Sequence, residues 1–303
     1  MAKHRVDRAL VKGMTKRERQ AFVREARRAE RERLARLKRR RRIAGWSSGA
    51  AAVVAIGAVV AVSAVGSAQA AAAAAAAGPA NMITDGLLVE SSGDGSTTSV
   101  VTTAALAADE TPSTNLSTVA TTGVLDVQVY LDMTDADAAA FWTANGAALE
   151  SAAAAGGLTL ELHPVALDTA DARDVAAVAA FACIGDQNPD SAPAFWDAVL
   201  AAESADEGTV YTTQKLATLA SGVGVTDGDT TSCIADGGFT DWATSASSRA
   251  AASVPYTSDP VDVSAGPVLV AAGTAYTGAL DDVDALLAFL SDVYTEATAD
   301  ATG

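Results

Sequence analysis

The stretch VYLDMTDADAAAFW, residues 129–142, runs from an apolar strand into an acidic turn and then into an alanine-rich helix. Upstream and within it, apolar and polar residues alternate, which predicts a strand with one face in a core. The apolar set is Leu125, Val127, Val129 and Leu131, and the polar set is Asp126, Gln128 and Tyr130. The turn joins this strand to a helix N-terminus, a common place for chemistry, so it is the first candidate for a functional site.

The helix after the turn carries one apolar stripe and ends at two glycines, which predicts an amphipathic helix with a defined stop. The stripe comprises Ala138, Phe141, Trp142, Ala148, Leu149 and Ala152, followed by Gly156 and Gly157. The next segment, LTLELHPVAL (158–167), alternates again and predicts a second strand. Strand, helix and strand within about 40 residues form a βαβ unit with parallel strands and a right-handed crossover.

The rest of the chain predicts a helical block, a return to β structure and a last helix. Between 171 and about 254, four segments of helical length are separated by Gly, Asn, Pro or Asp. They are 171–187, 191–203, 212–225 and 239–254. GPVLVAAGTAYTG (266–278) then predicts two strands. The final helix has one apolar stripe formed by Val283, Leu286, Leu287, Leu290 and Val293.

Charge is distributed very unevenly along the chain. Residues 1–42 contain 18 of the 21 Lys and Arg against 5 acids, and the other 261 residues have a net charge of −29. No charged residue occurs between 43 and 84, and 43–66 reaches the ~20 residues that cross a bilayer core. Basic residues flank cytoplasmic ends, so we predict a single-pass cell-membrane protein with a cytoplasmic N-terminus and an extracytoplasmic acidic domain.

Two alternatives to this membrane anchor fit part of the same sequence. Ala68, Gln69 and Ala70 fit a signal-peptidase site, but a charged leader of 42 residues is too long for an ordinary signal peptide. The basic segment 1–42 could indicate nucleic acid, yet acids are interspersed in it and it abuts the predicted span. The pattern therefore favours a juxtamembrane helix on anionic lipid, with no nucleic acid as partner.

The segment between the span and the first strand is poor in large apolar residues. Residues 67–123 are rich in Ala, Ser, Thr and Gly, which predicts an extracytoplasmic linker. The piece NMITDGLLVE (81–90) is an exception that we expect to dock on the folded domain. That domain is predicted over 124–303, with the helical insertion at about 171–254.

Several local segments match motifs of one known family. YLDMTDADAAAF (130–141) reproduces Tyr130, Asp132 and Phe141 of the motif Y-x-D-Y-x-C-P-x-C-x-x-F. HPVALD (163–168) resembles R-P-L-A-F-L-D, and GPVLVAAG (266–273) stands where T-P-T-x-x-V-N-G is found. The segments FWDAVLAAE and QKLATLASGVGV also resemble helices of that family. The chain thus resembles the DsbA-like branch of the thioredoxin superfamily, in its membrane-anchored actinobacterial form.

The resemblance implies an α/β class: a thioredoxin-like fold with an inserted helical domain, preceded by a single transmembrane helix. The strongest motif is absent, since the two redox cysteines align with Asp135 and Ala138 and the chain has no C-x-x-C. In the family the first cysteine lies at a helix N-terminus, where the helix dipole lowers its pKa. A carboxylate cannot perform thiol–disulfide exchange. Asp135 and Ala138 are therefore vestigial redox positions, with no catalytic residue.

The acidic turn has two further interpretations. Asp and Thr near a first helical turn are ordinary caps, and Thr134 with Asp137 resembles a capping box. Asp132, Thr134 and Asp135 after a strand also resemble the metal loops of von Willebrand factor A domains and haloacid-dehalogenase phosphatases. Neither pattern is complete, so a metal-binding domain stays an alternative, and we predict no metal and no cofactor.

Three other residue types bear on function. Related proteins carry a structural cysteine pair in places similar to Cys183 and Cys233, which implies a disulfide; two free thiols or a redox-active pair are the alternatives. Pro267 aligns with the proline that is cis in this fold. His163 is expected to be a packing or edge residue, and with only His4 besides it no catalytic triad can be assembled.

These observations together lead to one expectation for function. The chain should be a membrane-anchored, extracytoplasmic member of this family that lost its redox motif. It would act as a redox-inactive binding or scaffolding module for a protein partner at the cell envelope. The two alternatives are an oxidoreductase that uses Cys183 and Cys233, and a metal-binding Asp-loop domain.

Overall fold

The computed structural model describes residues 78–106, 110–112, 122–206, 209–255 and 257–299. The chain divides into two compact units, 1–70 and 71–303, and every described residue belongs to the second. The basic segment 1–42, the predicted span 43–66 and part of the predicted linker lie outside the described residues. Among the helices that are described, none combines the length and the apolar character that a membrane crossing requires.

The described part contains one mixed sheet of six strands. The strands are β1 (Leu87–Ser91), β2 (Thr98–Val100), β3 (Leu125–Leu131), β4 (Leu158–Pro164), β5 (Val268–Ala271) and β6 (Thr274–Ala275). Their order across the sheet is β2-β1-β4-β3-β5-β6. β3 and β4 are parallel, and the other neighbours are antiparallel. The parallel strands of the predicted βαβ unit are therefore confirmed.

Seven α-helices accompany the sheet in the described residues. They are α1 (Ala136–Ala154), α2 (Ala172–Gln187), α3 (Ala192–Ala205), α4 (Thr213–Gly222), α5 (Gly228–Asp236), α6 (Thr240–Ala252) and α7 (Val283–Ala299). α1 connects β3 to β4, α2–α6 form the block between β4 and β5, and α7 follows β6. The order of elements predicted from residue 124 onward is confirmed, apart from α5, which was missed. That short, mostly polar helix begins at its cap Asp227 and ends at Gly237, whose φ is 68°.

The linker predicted over 67–123 is too long. β1 pairs with β4 and β2 pairs with β1, so residues from this region complete one side of the sheet. Leu87 and Val89 are buried there because they alternate along a paired strand. The prediction that 81–90 docks on the domain is confirmed, and the folded unit starts well before residue 124.

β3 is buried on both faces, whereas its sequence predicted burial of one. Its apolar face joins the main core with α1, α2 and α3. Its polar face is covered by a second cluster that includes Val165, Ala250 and Val254. There the Thr159 hydroxyl donates to Asp126 Oδ1 at 3.0 Å. Burial, with the nearby charge of Glu161, raises the pKa of Asp126 to about 6.

His163 packs inside the sheet layer and does not lie at an edge. β4, which carries it, has a paired strand on each side. Its ring is buried and stacks on Tyr130, with ring centroids 4.2 Å apart. The backbone of Gly86 lies against the ring so closely that an added Cβ would be 2.6 Å from it. The packing role predicted for His163 is correct, and the edge position is wrong.

A disulfide joins Cys183 on α2 to Cys233 on α5. Cys183 is fully buried, and Gly238 lies so close that an added Cβ would be 2.5 Å from Cys233 Sγ. No free cysteine remains, because the whole sequence has two. The bond ties two helices of the insertion across a separation of 50 residues.

Removal of this disulfide should destabilise the domain without changing its fold. We expect Cys183→Ala with Cys233→Ala to lower the free energy of unfolding by up to ~4 kcal/mol, because the unfolded chain regains the entropy of a long loop. Urea unfolding followed by circular dichroism measures the change. Thiol titration of denatured wild-type protein should find none, and two reactive thiols in fresh material would contradict the bond.

Candidate functional site

The turn between β3 and α1 brings Asp135 and Ala138, the two positions that the resemblance aligned with redox cysteines, into direct contact. Asp135 is the N-cap of α1, with an extended backbone at φ −98° and ψ 135°. Its Oδ1 accepts a hydrogen bond from the Ala138 N–H at 3.0 Å. Asp135 is half-buried and Ala138 is buried. The carboxylate therefore satisfies a free N–H at the positive end of the helix dipole.

Thr134 does not cap the helix, so the capping box predicted with Asp137 is wrong. Its hydroxyl lies 2.8 Å from Asp132 Oδ1 and 2.8 Å from Asp174 Oδ1. Asp132 Oδ1 also accepts from the Thr134 N–H, and its Oδ2 accepts from the Leu167 N–H, each at 2.9 Å. Asp132, Thr134 and Asp174 are all buried, which places a polar cluster directly below the turn.

The cluster offers one hydroxyl hydrogen to two carboxyl groups. The Thr134 hydroxyl lies within hydrogen-bond distance of both Asp132 and Asp174, and it can donate to either one or be shared between them. Burial, helped by the Asp174 carboxylate and opposed by the Leu167 N–H, raises the pKa of Asp132 to about 6. Asp132 is thus the group that retains a proton in mildly acidic solution.

The metal-loop alternative depends on Asp132, Thr134 and Asp135 acting together. In the structure both oxygens of Asp132 accept internal N–H groups, and Asp135 caps α1. Across the described ranges, no group of three or more His, Cys, Asp or Glu residues is arranged to hold a metal ion. These carboxylate oxygens therefore already accept backbone N–H groups, from Thr134 and Ala138 nearby and from Leu167 after β4.

Pro267 lies where the resemblance placed it but not with the predicted isomer. Val268 pairs with Tyr130, so Pro267 lies at the same edge of the sheet as the turn. The described residues contain no cis peptide bond, and the predicted cis-proline is wrong. Gly266, with φ 123° and ψ −154°, adopts a backbone conformation that favours glycine and directs a trans proline into β5.

Asp174 is the residue of the site that the sequence did not reveal. It belongs to the first turn of α2, where an acid is ordinary because of the helix dipole. Only packing shows that its carboxyl reaches Thr134, a residue 40 positions earlier. Arg173 Nε lies 3.3 Å from the same carboxyl and provides the nearest positive charge.

Stability should fall as the pH rises through the titration of Asp132. Its folded pKa of about 6 exceeds the ordinary value of about 3.9, so the folded state binds the proton more tightly. The contribution is therefore present below about pH 4, is lost progressively up to about pH 6 and is not regained above it. Asp132→Asn, which cannot ionise, should reduce the slope of unfolding free energy against pH by up to ~1.4 kcal/mol per unit.

Urea unfolding at several pH values measures this slope. Asp126 and Glu150 also have raised pKa values, about 6 and about 7, so a residual slope should persist in the variant. Asp135→Asn is the matched control, because it alters the neighbouring half-buried cap and leaves the cluster intact. Identical slopes in wild type and Asp132→Asn would show that Asp132 carries no proton in this range.

The fold with its inserted helices is similar to that of several solved structures. Reduced DsbA from Mycobacterium tuberculosis matches with a TM-score of 0.50 and 18% identity, over 72% of this chain and 99% of that chain. MdbA, a thiol-disulfide oxidoreductase from Corynebacterium diphtheriae, matches with a TM-score of 0.48 and 15% identity, over 70% of this chain and 93% of that chain. Reduced DsbG from M. tuberculosis matches with a TM-score of 0.46 and 20% identity, over 59% of this chain and 85% of that chain.

No protein-family model matches the chain, and no curated protein matches it. At 18% identity the similarity to DsbA concerns the arrangement of the backbone. The described part of the chain therefore has the DsbA-like form of the thioredoxin fold.

Proposed function

We propose that this chain is a redox-inactive binding module of DsbA-like fold, anchored in the cell membrane, that holds a protein partner at the cell envelope. The observation that carries the proposal is the position of Asp135. Its carboxylate caps α1 where the family motif has its nucleophilic cysteine. An oxygen anion there stabilises the helix, but it cannot attack a disulfide sulfur.

The second redox position supports the same conclusion. Ala138 is buried and offers a methyl group where the motif has a resolving thiol. The sequence has no cysteine besides Cys183 and Cys233. The chain thus lacks the two thiols of the motif but keeps the core and the sheet. We expect this combination in a domain that is retained for binding.

The alternative of an oxidoreductase based on Cys183 and Cys233 has little structural support. Exchange requires a thiolate to reach one sulfur along the line of the bond. Cys183 is fully buried, and Gly238 lies directly against the bond. Cys233 is half-buried, so the protection concerns the Cys183 side of the bond. A disulfide that joins two packed helices in this way is typical of a structural bond.

The location at the envelope rests on the N-terminal part of the sequence. An uncharged stretch of bilayer length follows a strongly basic segment, which favours a cytoplasmic N-terminus and an external domain. The net charge of −29 over the last 261 residues would attract basic partner surfaces and keep the domain away from anionic lipid.

Wild-type protein should not reduce or oxidise a disulfide substrate, whereas a dithiol restored at the turn should do so slowly. We expect Asp135→Cys with Ala138→Cys to form a bond that dithiothreitol reduces, because the cap geometry already brings positions 135 and 138 together. A cysteine at position 135 would also have its pKa lowered by the helix N-terminus. Insulin reduction and thiol mass spectrometry measure the exchange.

The single variant Asp135→Cys is the matched control for this experiment. It should form a mixed disulfide with glutathione that persists, because no second sulfur can displace the glutathione. In the double variant the cysteine at 138 should release it. Failure of the two new cysteines to pair or react in folded protein would mean that this turn is not the equivalent of the redox motif.

A membrane-impermeant thiol probe tests the proposed topology in intact cells. Ser92→Cys, at an exposed position after β1, should be labelled, and Ala21→Cys in the basic segment should not. Background labelling should be low, because both native cysteines are in the disulfide. Labelling of Ala21→Cys alone would show that the orientation is the reverse of the one proposed. Labelling of both variants would indicate leaky cells, and release of a cytoplasmic marker detects such leakage.

A further inference from the structure

A cavity of about 250 Å³ lies on the Tyr130 face of the sheet. The opposite face, which carries Val129, packs against α1, so this cavity is separate from the turn at Asp135. It is bounded by the ends of β3 and β4, by the segment before β1 and by α6 with the residues that follow it. Its lining is Thr84, Asp85, Thr111, Pro112, Tyr130, His163, Pro164, Val165, Ala246, Arg249, Ala250, Ser253 and Pro255.

The floor of the cavity is aromatic and rigid. It is formed by the stacked rings of Tyr130 and His163, which are 2% and 3% exposed. The walls are mainly aliphatic, from three prolines, two alanines and a valine. An apolar group that enters the cavity would be removed from water and would contact a surface that is already formed. The protein would therefore lose little conformational entropy on binding.

The mouth of the cavity carries one ion pair. Arg249 donates from Nε to Asp85 Oδ2 at 2.6 Å and from Nη2 to Asp85 Oδ1 at 2.8 Å. A guanidinium has five N–H groups, so three remain for another acceptor, and the Arg249 side chain is 43% exposed. The pair has no net charge, which favours a neutral acceptor such as a carbonyl over a free ion.

We propose that this cavity binds one large apolar side chain of an extended peptide, whose backbone carbonyl accepts a hydrogen bond from Arg249. The volume lies below the ~300–1,000 Å³ of sites that enclose small-molecule ligands, but it suffices for one side chain. Peptides also supply the neutral carbonyl that the mouth favours. This inference rests on the proposed binding function and specifies where the partner would be held.

The test uses N-acetyl-L-phenylalaninamide as the probe and the full-length chain. Saturation-transfer NMR should show transfer from protein to the probe, strongest at the phenyl protons that enter the cavity. N-acetylglycinamide has the same carbonyls but no apolar side chain, and it should give a signal at least ~10-fold weaker, because the binding energy comes from the buried ring. Equal signals from the two probes would overturn the proposal.

Two tryptophan variants on neighbouring exposed positions locate the binding. Ser253→Trp at the mouth should weaken the phenyl signal about tenfold or more by blocking entry. Ser248→Trp, exposed on α6 outside the lining, should leave it unchanged. Arg249→Lys provides a second variant: it keeps the charge, loses the guanidinium fork and should weaken the probe as well. Circular dichroism checks that each variant is folded.

The outcomes distinguish failure of the proposed binding site from failure of the proposed redox-inactive function. An undiminished signal in folded Ser253→Trp and in Arg249→Lys would place the probe elsewhere and overturn the site. Insulin reduction by the same wild-type preparation would overturn the redox-inactive proposal whatever the probe does. Absence of probe binding together with absence of redox activity would overturn the cavity alone.

Discussion

The parallel pairing of β3 with β4 is the constraint on which the rest of the structure depends. Seven residues of each strand are in register, from Leu125 opposite Leu158 to Leu131 opposite Pro164, and all are buried. Parallel strands end at the same edge of a sheet, so the turn after β3 lies beside the chain that leaves β4. The hydrogen bond from the Leu167 N–H to Asp132 results from this arrangement.

Burial of both strands along their whole length puts polar side chains inside the protein, where each needs a partner. Thr159 provides one for Asp126, Thr84 hydrogen-bonds to Glu161, and His163 stacks on Tyr130. The Thr84 contact holds the segment before β1 against the sheet. Burial raises the pKa of Asp126 to about 6, so stability also depends on the proton that this carboxyl retains below that pH. Capping by Asp135 contributes helix stability of about 0.5–2 kcal/mol at the start of α1.

Much of the fold could be predicted from the sequence because its signals are local. Alternation at period two identified β3 and β4, and the alanine-rich stripe identified α1. In α7 the stripe was placed nearly correctly: Leu286, Leu290 and Val293 are buried, but Leu287 is 42% exposed, because the contact is narrower than the run of apolar residues. For the candidate site, the sequence contained no C-x-x-C and predicted an acid at a helix start.

The sequence by itself thus determined the order of most strands and helices from residue 124 onward, the lack of C-x-x-C and the division of charge, since each depends on neighbouring residues or on composition. The tertiary structure decided which distant groups meet. Thr134 reaches Asp174 across 40 residues, and Thr84 reaches Glu161 across 77. The cavity at Arg249 likewise joins segments far apart in the chain. No local pattern encodes such pairings, because they arise only when packed elements bring separate side chains within hydrogen-bond distance.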